Sequence, residues 1–113
     1  MTSEQLAQNI RIHAVELAHR THASHIASVL SAADIVAVLY QDIMNVYPKE
    51  PDCGQRDRFI LSKGHAGLAV YAALAECGFW EPGKLETYYR DGSSLSGHIS
   101  HKQVPGVEFS TGS

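Results

Sequence analysis

Apolar residues recur at helical spacing near the N-terminus. The spacings are four, four and three positions, over Leu6, Ile10, Ala14 and Leu17. Such steps place the side chains on one face of a helix. Thr2 and Gln5 stand where this helix would begin, and a Thr hydroxyl and a Gln side chain three residues later can satisfy each other's free backbone amides. The pattern predicts an amphipathic helix that begins with a capping box.

A second apolar segment, SAADIVAVLYQDIM, predicts another helix. Ser31 is its expected cap, and Asp34 falls in its first turn, where the helix dipole favours negative charge. Val36 and Tyr40 widen an apolar face that consists of Ile35, Val38, Leu39 and Ile43. Residues 45–55 contain two prolines, a glycine and several polar residues, so we expect a surface loop there.

The second half of the chain contains strand signals as well as helix signals. Residues 59–61 form a short apolar run typical of a buried parallel strand, and the helix after it is expected to end at Gly78. A fourth helix is predicted at about residues 82–90, followed by an ordered loop over residues 91–109 and a strand-like triplet at residues 107–109. We therefore predict an α/β fold, with helices flanking a parallel sheet, and a single incomplete domain over residues 1–113.

Composition and cysteine spacing limit the cellular compartment and the classes of partner that we expect for the protein. Its 113 residues fit one small domain, and the charged fraction of 19% lies below the roughly 25% typical of soluble domains. A net charge of -3 provides no electrostatic reason to expect nucleic acid or an anionic membrane as partner. Cys53 and Cys77 form no CxxC pair, and no secretory signal precedes them, so we expect a reduced, cytoplasmic protein. The longest apolar run, residues 66–75, is far shorter than the about 20 residues that span a bilayer.

Histidine is the residue type that points to chemistry. Among seven histidines, three lie at the edge of a predicted element or in the long loop: His25, His65 and His98. At a helix N-terminus, free amides and the helix dipole disfavour imidazolium, so His65 is expected to stay neutral and to act as a hydrogen-bond donor or acceptor. Gly64 and Gly67 would let a ligand approach the backbone closely. The alternative is that His65 only caps a buried helix and that the glycines ease packing.

Two histidine pairs have a spacing that could serve a metal ion. His22 and His25, and also His98 and His101, are three residues apart, which on a helix places both imidazoles on one face. No cysteine lies near either pair and no HExxH motif is present, so packed or solvated histidines are favoured over structural zinc. A serine hydrolase is disfavoured as well, because GxSxG is absent.

Four segments together resemble a known family: SHIASVLSAADIVAVLY, DRFILSKGHAGLAVYAALAECGF, SGHISHKQVPGVEF and STGS. In order and spacing they are similar to the N-terminal part of transketolase, in particular to the separate N-terminal subunit of split bacterial transketolases. The resemblance implies a thiamine diphosphate-binding domain and transfer of a two-carbon ketol unit between sugar phosphates. It also implies that His25, His65 and His98 are catalytic residues lining the active-site channel. His65 would lie near the diphosphate and the reacting carbon, and the backbone of Gly112 would approach the cofactor.

The same resemblance implies what lies outside these residues. Ligands for Mg²⁺ are expected beyond residue 113, and the glutamate that activates the cofactor is expected on a C-terminal transketolase subunit or domain. The complete enzyme would be a homodimer or a heterotetramer, and this fragment alone would be inactive. Where many transketolases read GHPGA and GHP, this chain reads SHIAS and GHI, which leaves the sugar open. A non-catalytic interaction or scaffold piece and a small histidine-metal protein remain the alternatives.

Overall fold

The computed structural model describes residues 1–112, in which helices are joined by ordered turns and loops. Helices α1 (Ser3–Thr21), α2 (Ile26–Val38) and α3 (Gly67–Glu76) pack against one another in all three pairings. Shorter elements are a π-helical turn that continues α2, Leu39–Ile43, and two 3₁₀ turns, Gly64–Ala66 and Pro82–Thr87. The core lies between the three helices, and α3 is its centre because nine of its ten residues are buried.

Helix α1 confirms the first prediction. It begins with the expected capping box, in which the Thr2 hydroxyl accepts from the Gln5 amide and the Gln5 side chain accepts from the Thr2 amide. The four residues of the predicted stripe are all buried: Leu6, Ile10, Ala14 and Leu17. Capping and periodicity agree here, so local sequence determined both the start and the orientation of the helix.

The predicted start of α2 was wrong. The helix begins at Ile26 instead of after Ser31, and Ser31 lies inside it, where its hydroxyl donates to the Ser28 carbonyl at 3.0 Å. Asp34 therefore lies beyond the first turn, and it pairs with Arg11 of α1 at 2.9 Å. A serine can satisfy its hydroxyl within a helix in this way, so its preference for caps does not by itself locate a helix end.

The predicted apolar face of α2 is confirmed only at Val36 and Tyr40, which are buried. Ile35 and Ile43 are 64% and 63% exposed, whereas the buried face consists of Val29, Ala33, Val36, Ala37 and Tyr40. Because this helix is apolar on nearly every face, periodicity could not select the buried side. The continuous helical stretch 26–43 is long and apolar enough to cross a membrane. The core helices of soluble proteins can have the same length and composition. In this structure α2 packs against both α1 and α3.

The parallel sheet is not confirmed, because no strand is formed within residues 1–112. Residues 59–64 and 108–112 nevertheless run side by side, joined by three hydrogen bonds: the Phe59 amide to the Glu108 carboxylate at 3.3 Å, the Thr111 hydroxyl to the Leu61 carbonyl, and the Gly64 amide to the Gly112 carbonyl at 2.6 Å. The residue numbers rise together along both segments, so the two segments are parallel. Two of these bonds use side chains, so no backbone ladder links the segments.

The region after α3 is partly as predicted. Gly78 has a left-handed backbone with φ of 88° just beyond α3, which confirms it as the residue that terminates the helix. The fourth helix was wrong in type, because Pro82–Thr87 forms a 3₁₀ turn and Tyr89 leaves helical geometry with φ of 62°. The Tyr89 amide donates to the Leu95 carbonyl at 2.8 Å, so a contact with the following loop replaces a further helical turn.

Candidate functional site

Three histidines from three separate segments meet at one place on the surface. The ring centroids of His25 and His65 are 5.4 Å apart, those of His25 and His98 are 5.4 Å apart, and those of His65 and His98 are 6.5 Å apart. His25 precedes α2, His65 lies in the 3₁₀ turn before α3, and His98 lies in the long loop. The structure thus brings together the three residues selected from the sequence, which we call the histidine cluster. Their catalytic roles remain predictions.

His25 reaches the cluster through an unusual backbone conformation. Its φ of 74° and ψ of 10° are left-handed, and its side chain makes no capping hydrogen bond to α2. Few residues other than glycine adopt this region, although histidine does so more often than most. The left-handed residue turns the chain sharply into α2, and the freed imidazole is exposed beside His65 and His98.

The two glycines of the SKGHAG turn serve close packing of the chain. A Cβ on Gly67 would lie 2.8 Å from the Ile99 nitrogen, and one on Gly64 would lie 2.6 Å from the Gly112 oxygen. The Ile99 amide also donates to the Gly64 carbonyl at 2.8 Å. The expectation that these glycines leave room for a ligand was therefore wrong, since chain segments occupy that room. Their absent side chains allow the His98 loop to lie against the turn that carries His65.

Tyr71 holds the His98 loop from inside the core. This side chain of α3 is fully buried, and its hydroxyl donates to the His98 carbonyl at 3.3 Å while accepting from the Ser100 amide at 3.0 Å. The Ser96 hydroxyl donates to the same His98 carbonyl at 2.7 Å. Sequence reasoning missed Tyr71, although a tyrosine inside an otherwise apolar helix signals a buried hydroxyl that needs a partner.

Electrostatics favour a neutral His65. Its pKa lies below the ordinary histidine value, first because the ring is partly desolvated and then because His25, Lys63 and His98 stand close to it. The sequence predicted the neutral form from the helix dipole, and the neighbouring groups provide a further cause. A neutral imidazole has one nitrogen that donates and one that accepts, so His65 can both bind an oxygen and take up a proton.

The cluster has the chemistry to bind an oxygen-rich ligand. His25 and His98 are exposed, and a Cβ on Gly112 would meet nothing within 4 Å, so side chains and backbone are accessible beside the cluster. Imidazoles at this place can donate to diphosphate or hydroxyl oxygens. Within residues 1–112, no group of three or more His, Cys, Asp and Glu side chains is arranged to hold a metal ion.

Comparison with known proteins decides the family. Residues 2–113 match the family described as the transketolase, thiamine diphosphate binding domain. The chain belongs to this family. One subunit of the apulose-4-phosphate transketolase of Phocaeicola vulgatus is 40% identical over 111 residues, which cover 98% of this chain and 39% of the relative. Transketolase 2 of Escherichia coli is 34% identical over 113 residues, covering 99% of this chain and 17% of that protein.

Solved structures confirm the relationship in three dimensions. A transketolase from Leishmania mexicana superposes with a TM-score of 0.90 at 32% identity, covering 99% of this chain and 17% of that chain. A further curated relative, the 6-deoxy-6-sulfo-D-fructose transketolase subunit SqwG of a Clostridium species, is 39% identical over 89 residues, which cover 79% of this chain and 32% of the relative. The chain thus spans about two fifths or less of the length of these relatives. It is similar to the N-terminal parts of both split and undivided transketolases.

Proposed function

We propose that this chain is the N-terminal part of a transketolase that moves a two-carbon ketol unit between sugar phosphates. The observation that carries the proposal is the convergence of His25, His65 and His98, from three segments, on one accessible place of a transketolase-family domain. Ketol transfer breaks and forms a carbon-carbon bond beside hydroxyl and carbonyl groups, so it requires proton donors and acceptors within reach of those oxygens.

The three histidines would divide this work. Thiamine diphosphate, when bound, supplies the stabilisation of the carbanion on the transferred unit. His65 would bind beside the diphosphate and exchange a proton near the reacting carbon, for which its neutral form is suited. His25 and His98 would orient the ketose by hydrogen bonds to its hydroxyl and carbonyl oxygens, and the Gly112 backbone would lie against the cofactor.

The remaining parts of the site would come from other residues. We propose that Mg²⁺ is held by oxygen ligands beyond residue 113, since Mg²⁺ prefers such ligands and residues 1–112 hold no candidate group. Two relatives are named as subunits of transketolases, which supports a partner subunit that completes this site. The assembly would be a homodimer or heterotetramer in the cytoplasm.

The test uses the full-length protein that contains this chain, together with its partner subunit if the enzyme is split. Ketol transfer is measured with three donors taken from the names of relatives and solved complexes: apulose-4-phosphate, 6-deoxy-6-sulfo-D-fructose and fructose-6-phosphate. Replacing His25, His65 or His98 by Asn should lower kcat by about 100-fold with the best donor, because His65→Asn removes a proton-transferring group and the other two variants remove an imidazole that orients the ketose. Asn also tolerates the left-handed backbone of His25.

The matched control is His22→Asn. His22 is also left-handed and exposed, with φ of 56°, but it lies at the end of α1 and outside the histidine cluster. This variant should keep wild-type turnover. Full turnover in all three cluster variants would contradict the proposal. A full-length protein that neither binds thiamine diphosphate with Mg²⁺ nor transfers a ketol unit would instead support the scaffold alternative.

A further inference from the structure

Lys63 is a half-buried cation beside the histidine cluster that the proposed function leaves without a role. Its ammonium donates to the Ser31 hydroxyl at 2.7 Å and to the Ser28 carbonyl at 3.3 Å, both in α2. It forms no ion pair within residues 1–112. Without a carboxylate partner in the described residues, the half-buried Lys63 is held by these two hydrogen bonds.

The position of Lys63 links the two sides of the cluster. It stands two residues before His65 and directly before the 3₁₀ turn Gly64–Ala66, whereas its acceptors lie in the first two turns of the helix that His25 precedes. His25 has no side-chain bond to α2, so its placement depends on how α2 meets the turn that carries His65. The Lys63 bonds are side-chain hydrogen bonds that join these two elements next to the rings.

We propose that Lys63 is a positioning residue that ties the His65 turn to the start of α2 and so keeps His25 and His65 in contact. This inference rests on the proposed function for its effect on catalysis. The groups facing His65 are His25 from the start of α2, His98 from the long loop and Lys63 from its own segment. Lys63 carries the positive charge among these groups, so the lysine also disfavours protonation of His65.

Chemical modification of histidine in the full-length protein tests the inference without relying on turnover. Diethyl pyrocarbonate acylates neutral imidazole, so the pH dependence of labelling, resolved by peptide mass spectrometry, follows each histidine. Lys63→Met should move the labelling midpoint of His65 to higher pH, because a neighbouring positive charge is removed. It should also speed labelling of His25, because the tie to α2 is lost. Lys63→Arg keeps the charge and should leave the His65 midpoint in place.

The Ser31→Ala variant separates the effect of the hydrogen bond between Lys63 and α2 from the effect of the Lys63 charge. It removes the closer acceptor but leaves the ammonium, so His25 labelling should quicken while the His65 midpoint stays as in the wild type. In ketol transfer, Lys63→Met should lower kcat/KM by about tenfold, as expected for a misplaced binding group, and move the acidic limb of the pH profile to higher pH. His22 labelling is the internal control and should not change.

The outcomes separate the two proposals. Lys63→Met with unchanged His65 midpoint and unchanged His25 labelling would overturn the role of Lys63, whatever the activity. If labelling changes as expected but the wild-type protein transfers no ketol unit, Lys63 positions the cluster and the proposed function fails. If Lys63→Met prevents folding, Lys63→Arg and Ser31→Ala decide, because a shifted His65 midpoint in either variant, or unchanged His25 labelling in Ser31→Ala, would contradict the inference.

Discussion

At the scale of single residues, the close approach of chain segments around the histidine cluster depends on Gly67. A methyl group there would meet the Ile99 backbone at 2.8 to 3.0 Å, and backbone atoms cannot yield as a flexible side chain can. Gly67→Ala should therefore lower the free energy of unfolding by about 1 to 3 kcal/mol and displace the His98 loop. Chemical denaturation of the full-length protein measures the first effect, and His98 labelling measures the second.

Gly83→Ala is the matched control. Gly83 lies in the 3₁₀ turn Pro82–Thr87, and a Cβ at this position would meet nothing within 4 Å. This substitution should leave both stability and His98 labelling unchanged. Equal effects of the two alanines would show that the packing of Gly67 against Ile99 is not what holds the loop.

Protonation of His65 should make the fold less stable in acid. Its folded-state pKa is lowered, so the unfolded chain takes up this proton at higher pH than the folded protein does. Stability is then lost as pH falls through the ordinary histidine pKa toward the lowered value. His65→Asn should reduce the loss measured by denaturation between about pH 7 and pH 5. An unchanged pH dependence in His65→Asn would contradict this sign.

The residues of the site differed in how well the sequence revealed them. Each cluster histidine follows a Gly or Ser at the edge of an element, and this local pattern can be recognised in the sequence itself. Tyr71 and Lys63 act through partners 27 to 35 positions away, so nothing in their immediate neighbourhood predicted their contacts. Gly67 was recognised as a close-approach position, but which group approaches it depends on the tertiary fold.

At the scale of elements, one buried ion pair joins the loop before the first extended segment to the second extended segment. Both terminal nitrogens of the Arg56 guanidinium donate to the Glu108 carboxylate at 2.8 Å, and the two side chains are only 4% and 9% exposed. The hydrogen bonds to Glu108 raise the pKa of Arg56, which remains charged. Glu108→Gln should cost about 3 kcal/mol of unfolding free energy, because it leaves a buried charge without its counterion.

A double variant tests whether the unpaired buried charge causes the loss of stability in Glu108→Gln. Arg56→Met with Glu108→Leu should recover part of the stability lost in Glu108→Gln, since apolar residues of similar size remove the unpaired charge. Asp34→Asn breaks the exposed pair with Arg11 and should have little effect, because water screens that pair. A Glu108→Gln protein as stable as Asp34→Asn would contradict the importance of burial.

The helices show why some elements could be predicted and others could not. In α1, a capping box and a single apolar stripe agree, so local sequence was sufficient. In α2, apolar residues surround the helix, and the left-handed backbone at His25 that starts it has no strong local signature. The 3₁₀ turn Pro82–Thr87 also escaped prediction, because the bond from Tyr89 to Leu95 that replaces a further helical turn comes from the loop.

At the scale of the whole molecule, the parallel sheet is a prediction that only the longer protein can test. Ile60 and Phe109 are 52% and 59% exposed, one on each of the two parallel extended segments. Within residues 1–112, the amides of Ile60 and Leu61 donate to no backbone carbonyl. Extended segments with exposed apolar side chains and free amides are the parts that further strands of a sheet would cover.

Hydrogen exchange in the full-length protein should show whether further strands pair with these two extended segments. If the segments are strands of a completed parallel sheet, the amides of Ile60, Leu61 and Phe109 should exchange at least about 100-fold more slowly than those of the exposed turn residues Gly54 and Gln55, because paired amides exchange only on opening. Substituting Ile60 by Lys should speed exchange at both segments, since a charge cannot be buried between strand and helix without cost. Lys in place of exposed Ile12 of α1 is the control. Exchange at residues 60–61 as fast as in the turn would contradict the sheet and leave the side-chain bonds of Glu108 and Thr111 as the links between the two segments.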